Sequence, residues 1–155
     1  MTSARAWIAL IAISLFVAAC GNGTGAAPSA LPSAQPSPSP SSLSFKLNPE
    51  PTVTASGTVT VVPGGGSTRI EVRVTGLQPN SSHVSHVHAG SCQSRGGIAR
   101  ALMPVVANGQ GEADAKSTLT DTFPPTGGTW YVVVHAGPDM QGTNASYLLC
   151  GNLFQ

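Results

Sequence analysis

The chain has 155 residues, a formal net charge of +1 and only 8% charged side chains. It holds no basic run, so nucleic-acid binding has no electrostatic footprint. With 18 glycines, 13 prolines and few aromatic residues, short strands joined by turns are expected in place of long helices.

Residues 1–20 read as a signal peptide: a short n-region with Arg5, an apolar stretch from Trp7 to Val17, then the small residues Ala18 and Ala19. The apolar stretch is short for a membrane-spanning helix. Val17-Ala18-Ala19-Cys20 resembles the lipobox of bacterial lipoproteins. That resemblance implies lipidation of Cys20, cleavage before it, and an exported chain held on the extracytoplasmic side of a bacterial membrane. An ordinary signal peptide with a chance cysteine is the alternative. Residues 21–42 are a Pro/Ser-rich stretch with too few apolar residues to offset the entropy of ordering, and they read as a disordered tether.

Residues 43–155 remain for one globular domain, enough for a single core. Within it, residues 58–61 alternate polar and apolar, and Pro63-Gly64-Gly65-Gly66 is a turn signal. Residues 69–74 form the cleanest strand, with Ile70, Val72 and Val74 on one face and Arg69, Glu71 and Arg73 on the other. Gly76 and Pro79 interrupt, and residues 83–88 resume an extended pattern. Residues 98–106 read as one or two strands, Asn108-Gly109 as a tight turn, and 112–116 as another alternating segment. Residues 129–135 (TWYVVVH) form a second unmistakable strand, and 146–154 a last one. Short strands at this spacing imply an all-β sandwich or barrel with Greek-key connections.

The histidines are His83, His86, His88 and His135. On a strand, His86 and His88 project from one face, close enough to share a metal ion. Three imidazoles suit copper, zinc or iron, with copper favoured by intrinsic affinity. On spacing alone, solvent-facing or hydrogen-bonded histidines are the commoner outcome. Apart from Cys20, the cysteines are Cys92 and Cys150, and an even pair in an exported domain reads as a disulfide, with two buried thiols as the alternative.

Three segments together resemble copper/zinc superoxide dismutase. They are Gly76-Leu77 through His83, His86 and His88; Val132-Val133-Val134-His135 with Asp139; and Leu148-Leu149-Cys150-Gly151. The resemblance implies a Greek-key sandwich or barrel of the dismutase type, and one copper ion held by His86, His88 and His135. It further implies a structural role for His83, orientation of His135 by Asp139 from the second coordination shell, and a Cys92–Cys150 disulfide. Residues 93–122 contain no histidine, so the bridging and zinc ligands of that family are missing and no zinc site is expected. Tyr147 stands where the family has an arginine that guides superoxide. The implied function is that of an exported, lipid-anchored protein with reduced superoxide dismutation, no catalytic residue beyond the metal ligands, and superoxide or copper as its partner. Two alternatives stand beside it: a non-catalytic copper-binding or buffering lipoprotein, and a metal-free β-sandwich interaction module.

Overall fold

The computed structural model describes residues 41–155. The expected signal peptide, Cys20 and most of the tether lie outside the described residues. Ten strands follow in chain order: β1 (Leu43–Pro49), β2 (Ser56–Pro63), β3 (Thr68–Thr75), β4 (Ser82–His83), β5 (Ser85–Gly90), β6 (Arg95–Ala101), β7 (Val105–Val106), β8 (Ala113–Leu119), β9 (Trp130–His135) and β10 (Tyr147–Asn152). Among the described residues, a 3-10 turn spans Gly142–Ala145.

Eight strands form one curled antiparallel sheet in the order β6-β5-β9-β10-β1-β2-β3-β8, and β4 pairs with β7 beside it. The curl passes through β1. Its residues Leu43 to Leu47 pair with β2, whereas Asn48 and Pro49 pair with Cys150 and Leu149 of β10. The expectation of an all-β sandwich or barrel is met at this level; nothing in the architecture singles out the dismutase type.

Period-2 alternation places the core. Val59 and Val61 of β2, Ile70, Val72 and Val74 of β3, Val87 of β5, and Val132 and Val134 of β9 are fully buried in one cluster. Arg69 and Arg73, between the buried residues of β3, face solvent, as half-buried strands require. β9 differs, because all six of its residues are buried. Its second face, with Tyr131 and Val133, packs in a smaller cluster with Cys150, Cys92 and Tyr147. The outer side of this strand is therefore covered by other parts of the chain, and the histidines gather there.

Candidate metal centre

Strand register decides which side chains share that outer face. His86 pairs with Val133 and His88 with Tyr131, while Val87, opposite Val132, points into the core. On the other side of β9, Cys150 is opposite Val133 and Tyr147 opposite His135, with a register shift between Tyr147 and Leu149. Directly opposed residues project to the same face. Three adjacent strands thus bring His86 and His88, Tyr131 and His135, and Tyr147 and Cys150 onto one surface.

The three imidazoles form a compact triangle. Ring centroids are 6.0 Å apart for His86 and His88, 5.1 Å for His86 and His135, and 5.8 Å for His88 and His135. Each residue offers one ligand nitrogen within 4.8 Å of the others. Nδ1 of His86 and Nε2 of His88 and His135 are buried and have no hydrogen-bond partner among the described residues. Buried polar atoms are ordinarily paired, so three unpaired nitrogens in one place suit a metal site. Nitrogens bound in a trigonal plane at the usual metal–imidazole distance stand about 3.5 Å apart, so small side-chain adjustments would close the triangle on an ion.

In His88 and His135 the other ring nitrogen is held from behind, as metal-binding histidines usually are. Nδ1–H of His88 donates to the Gly96 carbonyl at 3.1 Å, and Nδ1–H of His135 donates to the Ala145 carbonyl at 2.8 Å. Both assignments leave Nε2 deprotonated and available. Gly96 belongs to β6, and Ala145 closes the 3-10 turn. A Cβ at position 96 would clash with the Ala89 carbonyl oxygen. Gly96→Ala is therefore expected to cost about 1–3 kcal/mol through forced backbone displacement, measured as a lowered urea midpoint. An unchanged midpoint would show that the two strands separate freely.

His86 and His135 are biased toward their neutral forms. Burial first, then the neighbouring His135 and His88 rings, hold the pKa of His86 below its ordinary 6.5. Burial also lowers that of His135, with His88 adding to the effect and the hydrogen bonds to Ala145 and Ser146 opposing it. As pH falls through 6.5 the unfolded chain takes up these protons before the folded one does. The unfolded state then binds more protons, so these groups' contribution to stability is intact above that pH and declines below it. The metal-free protein is expected to lose stability between pH 7.5 and 5.5 in urea unfolding. A gain on acidification would contradict depressed histidine pKa values.

Other expected residues take distinct places. His83 stands outside the triangle: Nδ1–H donates to the His135 carbonyl at 2.9 Å, and Nε2 faces the Ser81 hydroxyl at 2.8 Å. It ties β4 to the end of β9. Cys92 and Cys150 are joined, with their Cα atoms 5.9 Å apart. Direct orientation of His135 by Asp139 is corrected by the structure. Asp139 accepts hydrogen bonds from the Gln141 amide and the Asn144 side chain, and the Ala145 carbonyl accepts the hydrogen bond from His135 Nδ1–H. Its carboxylate acts one step further away, by fastening the turn that supplies the Ala145 carbonyl.

Sequence reasoning missed the aromatic wall. The His88 ring lies 5.1 Å from that of Tyr131 and 5.7 Å from that of Tyr147. The two phenol oxygens are 2.9 Å apart, and the Arg95 guanidinium sits 4.2 Å above the Tyr147 ring. Burial, then the hydrogen bond with Tyr131, pushes the Tyr147 pKa up to about 12, so it is a neutral phenol at physiological pH. Alternation along TWYVVVH places Tyr131 on the face of His135 and could have revealed it. Tyr147 depends on the register shift in β10, which leaves no pattern in the sequence.

Residues 37–140 match the CHRD domain, which covers more than half of the chain. The chain belongs to the CHRD domain family. No curated protein matches it. The CHRD match contains all three clustered histidines and Cys92 and ends before β10. It overturns the resemblance to copper/zinc superoxide dismutase, because the CHRD domain is a different β-sandwich family. The dismutase domain type, superoxide as substrate, the oxidoreductase class and copper binding as a family property all fall with it. The physical reason is that the motifs behind the resemblance are short. Period-2 geometry places His-x-His on one face of any strand, and a cysteine on a last strand can be bridged in many sandwiches. The three-histidine cluster of the CHRD domain stands on its own geometry, compatible with a metal site.

Proposed function

We propose that this CHRD domain is a non-catalytic binding module that holds one transition-metal ion between His86, His88 and His135, outside the cytoplasm and anchored through lipid on Cys20. The observation that carries the reading is the convergence of three imidazoles that each offer a ligand nitrogen within 4.8 Å of the others, each ring also having a buried nitrogen without a partner. Neutral nitrogen donors without a carboxylate suit copper or zinc, and copper is bound most tightly by such a set. The lowered pKa values of His86 and His135 favour the deprotonated rings that a metal needs. The lipobox supports the anchor, which would place the module where extracellular metal is met.

The test is titration of the full-length chain with Cu(I), Cu(II) and Zn(II), each against a chromophoric chelator, with metal content read independently. One ion per chain, lost in His135→Ala, is the expected result. A second reading is favoured by family membership itself: a metal-free sandwich that acts through its surface. Failure of all three ions to bind stoichiometrically would establish that reading and overturn the first.

A further inference from the structure

Tyr131 is fully buried on β9, and its hydroxyl reaches across β5 to a glycine of the edge strand β6. The Gly96 amide donates to Tyr131 Oη at 3.2 Å, and the Tyr131 hydroxyl lies 3.3 Å from the Gly96 carbonyl. That carbonyl is the acceptor for Nδ1–H of His88. A phenol has one proton and two lone pairs. One assignment uses every contact: Tyr147 donates to Tyr131, Tyr131 donates to the Gly96 carbonyl, and Tyr131 accepts from the Gly96 amide. The far end is fastened too, because Tyr147 lies beneath Arg95, whose guanidinium pairs with Glu50 at 2.6 Å. The chain of contacts runs from Glu50 through Arg95, Tyr147, Tyr131 and Gly96 to His88.

Gly96 needs this support. It lies on β6, which forms the edge of the sheet, and the β5–β6 pairing is irregular on both sides of His88. An edge strand with a disrupted ladder does not by itself hold one carbonyl in place. Packing would need only the tyrosine rings; the hydroxyls add direction.

We infer that Tyr131 and Tyr147 are positioning residues, which through Gly96 hold His88 in the tautomer and orientation that presents Nε2 to the ion. The inference rests on the metal-binding reading for its consequence, but the locked tautomer is a property of the metal-free protein. Outer-shell partners of metal-binding histidines are each worth about ten- to hundredfold in affinity. Tyr131, in direct contact with Gly96, should lie in that range. Tyr147, one link further out, should have the smaller effect.

Long-range proton–nitrogen NMR on the metal-free, full-length protein reads the tautomer directly. In the wild type, His88 is expected as the Nδ1–H form alone. In Tyr131→Phe, which keeps the ring, His88 should become a mixture of tautomers, and Cu(I) affinity measured by chelator competition should fall about ten- to hundredfold. Tyr147→Phe should show the same changes, but smaller. Mixed tautomers at His88 in the wild type would overturn the inference, as would a Tyr131→Phe protein with unchanged tautomer and unchanged Cu(I) affinity. Should Tyr131→Phe fail to fold, the wild-type tautomer and Tyr147→Phe decide. Absence of Cu(I) binding in the wild type would sink the metal reading, while the tautomer would still test the support of His88.

Discussion

Replacing His86 with alanine is expected to weaken metal binding by more than about a hundredfold, since even the outer partners of metal-bound histidines are worth about ten- to hundredfold. His86 is the most informative ligand to remove. It is the least buried of the three, and no hydrogen bond to its ring is found among the described residues. His135, by contrast, is 1% exposed and bonded to the Ala145 carbonyl, so its removal also leaves a hole and an unpaired acceptor. Loss of binding in His86→Ala with little change in the metal-free urea midpoint would assign the loss to coordination. Stoichiometric binding of near wild-type affinity would show that the triangle is not the site, because two imidazoles do not replace three.

Breaking the Cys92–Cys150 bond is expected to have the largest effect on stability. The residues are 58 apart in sequence, and a closed loop of that length is worth about 4 kcal/mol in the chain-entropy treatment. A native domain of this size has about 5–15 kcal/mol in total, so a Cys92→Ala/Cys150→Ala variant should unfold at a much lower urea concentration. The bond also has a local role. It ties the turn after β5, which leads into Arg95 and Gly96, to the strand that carries Tyr147, and the Cys92 amide donates to Asn152 Oδ1 at 2.8 Å. The variant should therefore lose order around His88 before the β2–β3 core is affected, seen as faster amide exchange at residues 91–97 than at 70–74. A stability loss below about 1 kcal/mol would mean that the unfolded chain is already restrained in this loop.

Much of the fold is legible where one face of a strand is wet and the other buried. Residues 69–74 alternate without exception, and β3 follows them. Residues 130–134 are aromatic or aliphatic throughout, and β9 is buried on both faces. The pattern fades where a strand lies at an edge. The segment 98–106 reads as one or two strands, and the end of β6 and all of β7 fall within it, although Ile98, Met103 and Val106 are exposed. Regular structure there begins earlier, at Arg95, in a segment (RGGIARA) without apolar–polar alternation. Short resembling motifs misled about family, because a few residues at strand spacing specify a face and not an ancestry.

What the sequence by itself determined is the all-β class, the core face of the main strands, and the pairing of His86 with His88 on one side of a strand, since side-chain direction in a strand follows from its period of two. Only the tertiary structure decided that His135 meets them, that the Ala145 carbonyl accepts from its Nδ1–H, and that Gly96, Tyr131 and Tyr147 stand behind His88. Those relations depend on the register between strands distant in the chain and on a shift within β10. Register is set by the packing of the whole sheet, so no local pattern encodes it.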